Sequence, residues 1–381
     1  MDGSMPSEIP FIRPTFPASA DLALDLDEIL KANWFTNFGP KERQFARALG
    51  DYVGSEVHVA TCANGTVALI AALTAAVGAG RRDRYLLMPS FTFIAVAQAA
   101  LWAGYRPWFI DVDADTWQPS IESAETILTG SRDDVAGVLL PNVFGVGNPQ
   151  IDAWEALCAK WDLPIVIDSA AGFGSRYSDG NPLGSRGTCE IFSFHATKPF
   201  AIGEGGAVTS RDPALIARVR DFENFGFTDS RECTQLGMNG KLQEISAAIG
   251  LRQLVGLDQR LAQRHKVFDR YQAELASEGL RFQVDAEASS LCFASARCSS
   301  ADHKASVLTS LRDNAVQARD YYNPPQHRHP YFVANPELTR STSLPVTEEL
   351  CSQIVSLPVH DDMSPEDVDR IVNAVRQGRI R

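Results

Sequence analysis

VATCANGTVALIAAL, residues 59–73, reads as an apolar strand, a short polar loop at Asn64-Gly65-Thr66 and an apolar helix. The same alternation recurs on both sides of it. Apolar runs at Val57–Ala60, Tyr85–Met88, Trp108–Ile110, Val135–Leu140, Pro164–Ile167, Ile191–Phe194 and Ala207–Thr209 have strand length. Helical patterns lie between several of them, at Thr66–Val77, Ile94–Trp102 and Ala153–Trp161. Continuous apolar strands separated by helices imply an α/β fold with a mostly parallel central sheet covered by helices on both faces. In such sheets ligands bind just beyond the carboxyl ends of the strands. After residue 210 the pattern changes. A long helical region is expected from Leu242 to Leu275, with Ile245, Ile249, Leu254, Leu257, Leu261, Phe268 and Tyr271 as its apolar stripe. From Phe282 the chain reads as a smaller α+β unit that ends in a helix opened by Ser364-Pro365-Glu366. The expected division is a large domain over residues 1–255 and a small C-terminal domain over residues 256–381.

The balance of charge narrows the function. A net charge of −12 argues against a nucleic-acid partner, because phosphate binding needs clustered Lys and Arg. The seven cysteines (Cys62, Cys158, Cys189, Cys233, Cys292, Cys298 and Cys351) are scattered and contain no C-x-x-C, so neither a disulfide framework nor a zinc site is expected. The opening MDGSMPSEIPFIRP lacks a basic region followed by an apolar run. The apolar stretch Phe91–Ala103 is too short for a bilayer, which needs about 20 residues. The expectation is a cytoplasmic protein without a membrane partner.

The candidate chemistry lies at strand ends. Lys198 sits in the connection between two apolar strands, within EIFSFHATKPFAIGEGGAVTS, residues 190–210. A lysine there is either an ordinary surface residue or an amine able to attack an aldehyde. Asp168 closes LPIVID, so a strand delivers its carboxylate to the same edge, as a turn cap or as a partner for a cationic ring nitrogen. Asn64-Gly65-Thr66 opens a helix whose free N–H groups and dipole suit a phosphate, and Thr66 could equally be a simple cap. Ser193 could add a hydroxyl to that phosphate, and Phe93, after another strand, could stack on a ring. Aldehyde, ring nitrogen, phosphate and ring together describe pyridoxal 5′-phosphate (PLP). Rival motifs are fragments. Gly145-Val146-Gly147 lacks the third glycine of a dinucleotide loop, and His327-Arg328-His329 has no nearby acid to complete a metal site, so no metal is expected.

Taken in order, NGTVAL, PSFTFIA, VIDSAAGFGS, SFHATKPF, GEGG and GMNGKLQEISAAIGLRQL resemble the DegT/StrS family of PLP-dependent nucleotide-sugar aminotransferases. The resemblance extends from FTNFGP at residues 35–40 to LPVHDDMSPEDVDRIV at the C-terminal end. It implies a type I PLP-transferase fold, with Lys198 as the Schiff-base lysine, Asp168 at the pyridine nitrogen, Phe93 on the ring, and Gly65, Thr66 and Ser193 at the phosphate. It further implies a homodimer with shared active sites, in which Asn239 reaches the cofactor of the neighbouring subunit. YYNPPQHRHPYF, residues 321–332, matches a region near the sugar nucleotide, which makes Tyr321, His327 and Arg328 the expected substrate-binding residues. Two positions depart from the pattern. Ala171 stands where many members have Gln or His against the ring's phenolic oxygen, and Lys241 where many have Arg. The motifs DSAAGFG, SFHATKPF and GMNGK resemble those of enzymes forming 4-amino-4,6-dideoxyhexoses. The implied reaction moves an amino group from L-glutamate to C4 of a nucleotide-linked keto-deoxysugar, dTDP-4-keto-6-deoxyglucose. Amination at C3 of a 3-keto isomer, or another PLP reaction on a sugar, is the alternative.

Overall fold

The computed structural model describes residues 7–80, 82–228 and 230–379. Seven consecutive strands form the body of one sheet: β1 (His58–Cys62), β2 (Tyr85–Pro89), β3 (Arg106–Ile110), β4 (Val135–Pro141), β5 (Ile165–Asp168), β6 (Cys189–Ser193) and β7 (Gly206–Ser210). Their order is β1-β7-β6-β5-β4-β2-β3, and all neighbours are parallel except at β7, which runs antiparallel to both β1 and β6. Each of the seven lies at an apolar run expected from sequence. Every residue of β2, β4, β5, β6 and β7 is buried, as a sheet covered on both faces requires.

The helix Gly65–Val77 shows how local chemistry sets this architecture. Its sequence is apolar on nearly all sides, so it can persist only between other layers. It packs on β6 and β7 and against the helices Ala95–Trp102 and Pro213–Glu223. Asn64 caps it by accepting a hydrogen bond from the Val67 N–H at 2.9 Å, a contact worth about 1 kcal/mol.

The helix expected over Leu242–Leu275 is two helices, Glu244–Leu254 and Leu257–Leu275. Val255 is extended and Gly256 adopts φ 74°, a conformation that glycine takes without steric cost. The apolar stripe runs through both, so periodicity alone did not reveal the break.

In the C-terminal part, β8 (Arg281–Phe282), β9 (Ala294–Arg297) and β11 (Ile354–Leu357) form a three-stranded antiparallel sheet, while β10 (Arg340–Ser341) returns to the large sheet beside β3. The N-terminal segment crosses the other way. Ile9 bridges to Val316, and Phe11 stacks on Phe293 at 5.0 Å and donates its N–H to Gln317 Oε1 at 3.1 Å. Residues 8–17 thus form a strap that runs from Val316 past Phe293 to the helix Glu244–Leu254, where the Gln253 side chain donates to the Thr15 carbonyl. No helix among the described residues is long and apolar enough to cross a membrane.

Candidate active site

A cavity of about 510 Å³ opens at the carboxyl edge of the large sheet. Its floor begins at the N-terminus of the helix Gly65–Val77. Val67 and Ala68 donate their N–H groups to Asn64, which leaves the Gly65 and Thr66 N–H groups without a partner among the described residues. Thr66 is exposed towards the cavity, and Ser193, at the end of β6, stands against Gly65. A Cβ on Gly65 would lie 2.7 Å from the Ser193 Cβ, so only glycine lets the helix end meet the serine at this distance. Two free N–H groups, two hydroxyls and the positive end of a helix form an anion cradle.

Asp168, the last residue of β5, is 7% exposed. One oxygen accepts from the Ala170 N–H at 2.9 Å, and the other has no partner among the described residues. Burial pushes its carboxyl up from the usual range, while the Ala170 N–H and the charge of Lys198 pull it down. A buried carboxylate with one free oxygen calls for a cationic or N–H partner in the cavity. Behind it lies a polar network that the sequence reading did not include. Glu190 accepts from Ser169, from Tyr177 at 3.2 Å and from the Gly184 N–H at 2.5 Å, and Asn142 donates to Ser169 at 2.7 Å. Burial pushes the Glu190 carboxyl up to about 7.

Lys198 sits in the loop joining β6 to β7. The backbone pairs Phe194–Gly205 and Ala196–Gly203 close that loop, and Phe194 and Phe200 anchor it in the core with ring centroids 5.1 Å apart. The Lys198 amine has no hydrogen-bond or salt-bridge partner among the described residues, whereas Lys41, Lys241 and Lys304 are held by Asp25, Asn224 and the Cys351 carbonyl. Phe93, 54% exposed, lines the cavity with Lys198 and Asp168. Gly65, Thr66, Phe93, Asp168, Ser193 and Lys198 are thus brought to one cavity.

Of the residues expected to bind substrate, Tyr321 lines the cavity and His327 and Arg328 do not. The His327 ring bonds Ser90 Oγ at 2.7 Å and Glu348 at 3.2 Å, and Arg328 also binds Glu348. Burial holds the His327 imidazolium below its usual range. Asn239 is exposed outside this chain's cavity. The remaining wall includes Tyr322, from the segment expected near the sugar nucleotide, and residues that sequence reasoning left unassigned, among them Ile12 of the strap, Phe144, His195, Glu204 and Phe293. His195 shares a motif with Lys198, and Tyr322 adjoins Tyr321, so both carried a signal. Ile12 and Phe293 carried none.

These residues fit PLP. The cradle suits its phosphate, the free Asp168 oxygen its ring nitrogen, Phe93 its ring and the unpartnered Lys198 amine its aldehyde. The family model for DegT/DnrJ/EryC1/StrS aminotransferases matches residues 18–376. Protein Rv3402c of Mycobacterium tuberculosis is 66% identical over 100% of this chain and 92% of its own length. The dTDP-4-amino-4,6-dideoxy-D-glucose transaminase of Shigella dysenteriae is 27% identical, aligned over 96% of this chain and 97% of its own. The crystal structure of DesI in the presence of its TDP-sugar product superposes with a TM-score of 0.88 at 28% identity, covering 98% of this chain and 93% of that one.

Proposed function

The chain belongs to the DegT/DnrJ/EryC1/StrS aminotransferase family and is a PLP-dependent transaminase, and we propose that it aminates a nucleotide-linked keto-deoxysugar with L-glutamate as donor. The proposed acceptor carbon is C4 of dTDP-4-keto-6-deoxyglucose. One observation carries the reading: the free Asp168 oxygen, the Gly65–Ser193 cradle and the unpartnered Lys198 amine line a single cavity together with four further aromatic rings. Phe144, Phe293, Tyr321 and Tyr322 offer an uncharged sugar ring its apolar face and a 6-methyl group a dry contact. The Shigella relative, named for a dTDP-linked 4-amino-4,6-dideoxyglucose, supports the same carbon and carrier.

When bound, PLP draws electron density away from the carbon that bears the amino group. Asp168 would hold a proton on its ring nitrogen. Lys198 would hold it covalently and, once displaced by the donor, carry a proton between carbons as base and then acid. Gly65, Thr66 and Ser193 would grip the phosphate, and Phe93 would cover the ring. Tyr321, on the cavity wall, would meet the sugar. His327 and Arg328 act here through Ser90 and Glu348, fixing the loop that carries Tyr321.

The proposed assembly is a homodimer in which Asn239 completes the partner's phosphate cradle. Phe225, Phe227 and Leu236, near Asn239 in the chain, are 49%, 40% and 60% exposed, which supports cover by a second copy. The test is incubation with glutamate and the 4-keto and 3-keto dTDP sugars, with NMR to locate the new C–N bond. Amination at C4 is expected. Turnover of the 3-keto sugar alone overturns the position, and turnover of neither overturns the substrate class.

A further inference from the structure

Tyr322 presents an unused phenol to the cavity. Its ring is fixed on several sides: it stacks on Phe144 at 5.0 Å with planes 8° apart, meets Phe91 edge-on at 5.7 Å and lies 6.4 Å from Phe93. Its carbonyl accepts from Cys351 Sγ at 2.9 Å, and the preceding Asp320 pairs with the buried Lys304 at 3.3 Å. Further along the same loop, Gln326 binds the Pro89 carbonyl and the Ala97 N–H. The ring therefore has little freedom to turn away.

Its hydroxyl has no hydrogen-bond partner among the described residues. Burial, with Cys292, Asp168 and Tyr321 as its charged or titratable neighbours, pushes the phenol well above its usual range, so it stays a donor at neutral pH. Tyr322 lines the same cavity as Asp168 and Lys198. Ala171, packed in the same apolar cluster, offers no polar side-chain atom. An unpartnered donor on the wall of a cavity shared with Asp168 and Lys198 calls for an acceptor in that cavity.

We propose that Tyr322 donates a hydrogen bond to the phenolate oxygen of the bound cofactor. This rests on the reading of the cavity as the PLP site. An O–H donor stabilises negative charge on that oxygen, which in turn holds the proton on the nitrogen joined to Lys198. Without the donor the oxygen becomes a stronger base, and the proton leaves at higher pH.

The test is a pH titration of the visible absorbance of the PLP-loaded wild type and Tyr322→Phe, a variant that keeps the ring stack. The midpoint is expected to rise by about one to two units in the variant, with PLP stoichiometry unchanged. An unchanged midpoint overturns the proposal and leaves the PLP site standing, whereas absence of a lysine-dependent visible band in wild type overturns both. A second measurement does not depend on the variant's folding. In wild type labelled with 13C at tyrosine Cζ, loading PLP should move a tyrosine resonance, and no movement overturns the proposal equally.

Discussion

Gly65 and Ser193 meet so closely that their separation leaves no room for a methyl group, with 2.7 Å between an added Cβ and the serine's own. Gly65→Ala must displace either the serine or the helix end. Overpacking of this kind costs about 1–3 kcal/mol, and it also opens the anion cradle. We expect a lower melting temperature and PLP affinity reduced by about tenfold or more, equivalent to about 1.4 kcal/mol, measured by absorbance titration. Ser193→Ala should weaken PLP binding without the loss of stability.

The isolation of the Lys198 amine predicts where the cofactor is held. Borohydride treatment of the loaded enzyme, followed by peptide mapping, should place a pyridoxyl group on Lys198 and on no other lysine. Lys198→Ala should slow amino transfer from glutamate by about 10²–10⁴-fold, the usual contribution of a positioned acid–base group. Label on another lysine would refute the assignment.

Asp168→Asn keeps the shape of the strand end and removes its charge. The variant should bind PLP, yet convert it with glutamate at least about tenfold more slowly, since even 1.4 kcal/mol of lost stabilisation has that effect. Stopped-flow absorbance of the glutamate half-reaction reads this step alone. A wild-type rate would show that no proton is held at the ring nitrogen through Asp168.

Glu190 predicts a pH dependence of stability. Its folded-state value of about 7 is above the ordinary 4.5 of a glutamate, so the native protein binds this proton more tightly than the unfolded chain. The associated stability is fully present below about pH 4.5 and is lost as pH rises to about 7. The full span is about 3 kcal/mol from this group. Glu190→Gln should flatten the melting-temperature profile between pH 5 and 7. A variant profile parallel to wild type would refute the buried protonated carboxyl.

The proposed shared site makes PLP affinity depend on assembly. Asn239→Ala should weaken PLP binding several-fold while the dimer, followed by sedimentation, stays intact. Dilution below the dimer's dissociation constant should weaken it in wild type as well. A monomer with full PLP affinity would refute the partner's contribution.

The site was legible in sequence where it is built from strand ends. Parallel strands all finish at one edge, so Asp168 at the end of β5, Ser193 at the end of β6 and Gly65 just after β1 had to approach one another whatever the details of packing. The resemblance then supplied roles that periodicity could not. What escaped was set by distant packing. Ile12 reaches the cavity because its strap pairs with residues some 300 positions later, and Phe293 because it stacks on Phe11 of that strap. His327 and Arg328 drew attention through their charge, yet Ser90 and Glu348 satisfy them, and nothing in YYNPPQHRHPYF announces those partners. Likewise the apolar stripe over Leu242–Leu275 continues across Gly256, whose φ of 74° divides the helix.

The strap also bears on how the chain matures during translation. The ribosome makes Ile9 and Ile12 long before Val316 and Gln317, the residues that fasten this segment, and domains tend to fold from the N-terminus as they emerge. The large sheet can assemble with one wall of the cavity missing, and that wall closes only when synthesis has passed residue 317. A ribosome-bound nascent chain arrested before that point would carry Lys198 and Asp168 in an unfinished pocket, open to water on the side that Ile12 later covers.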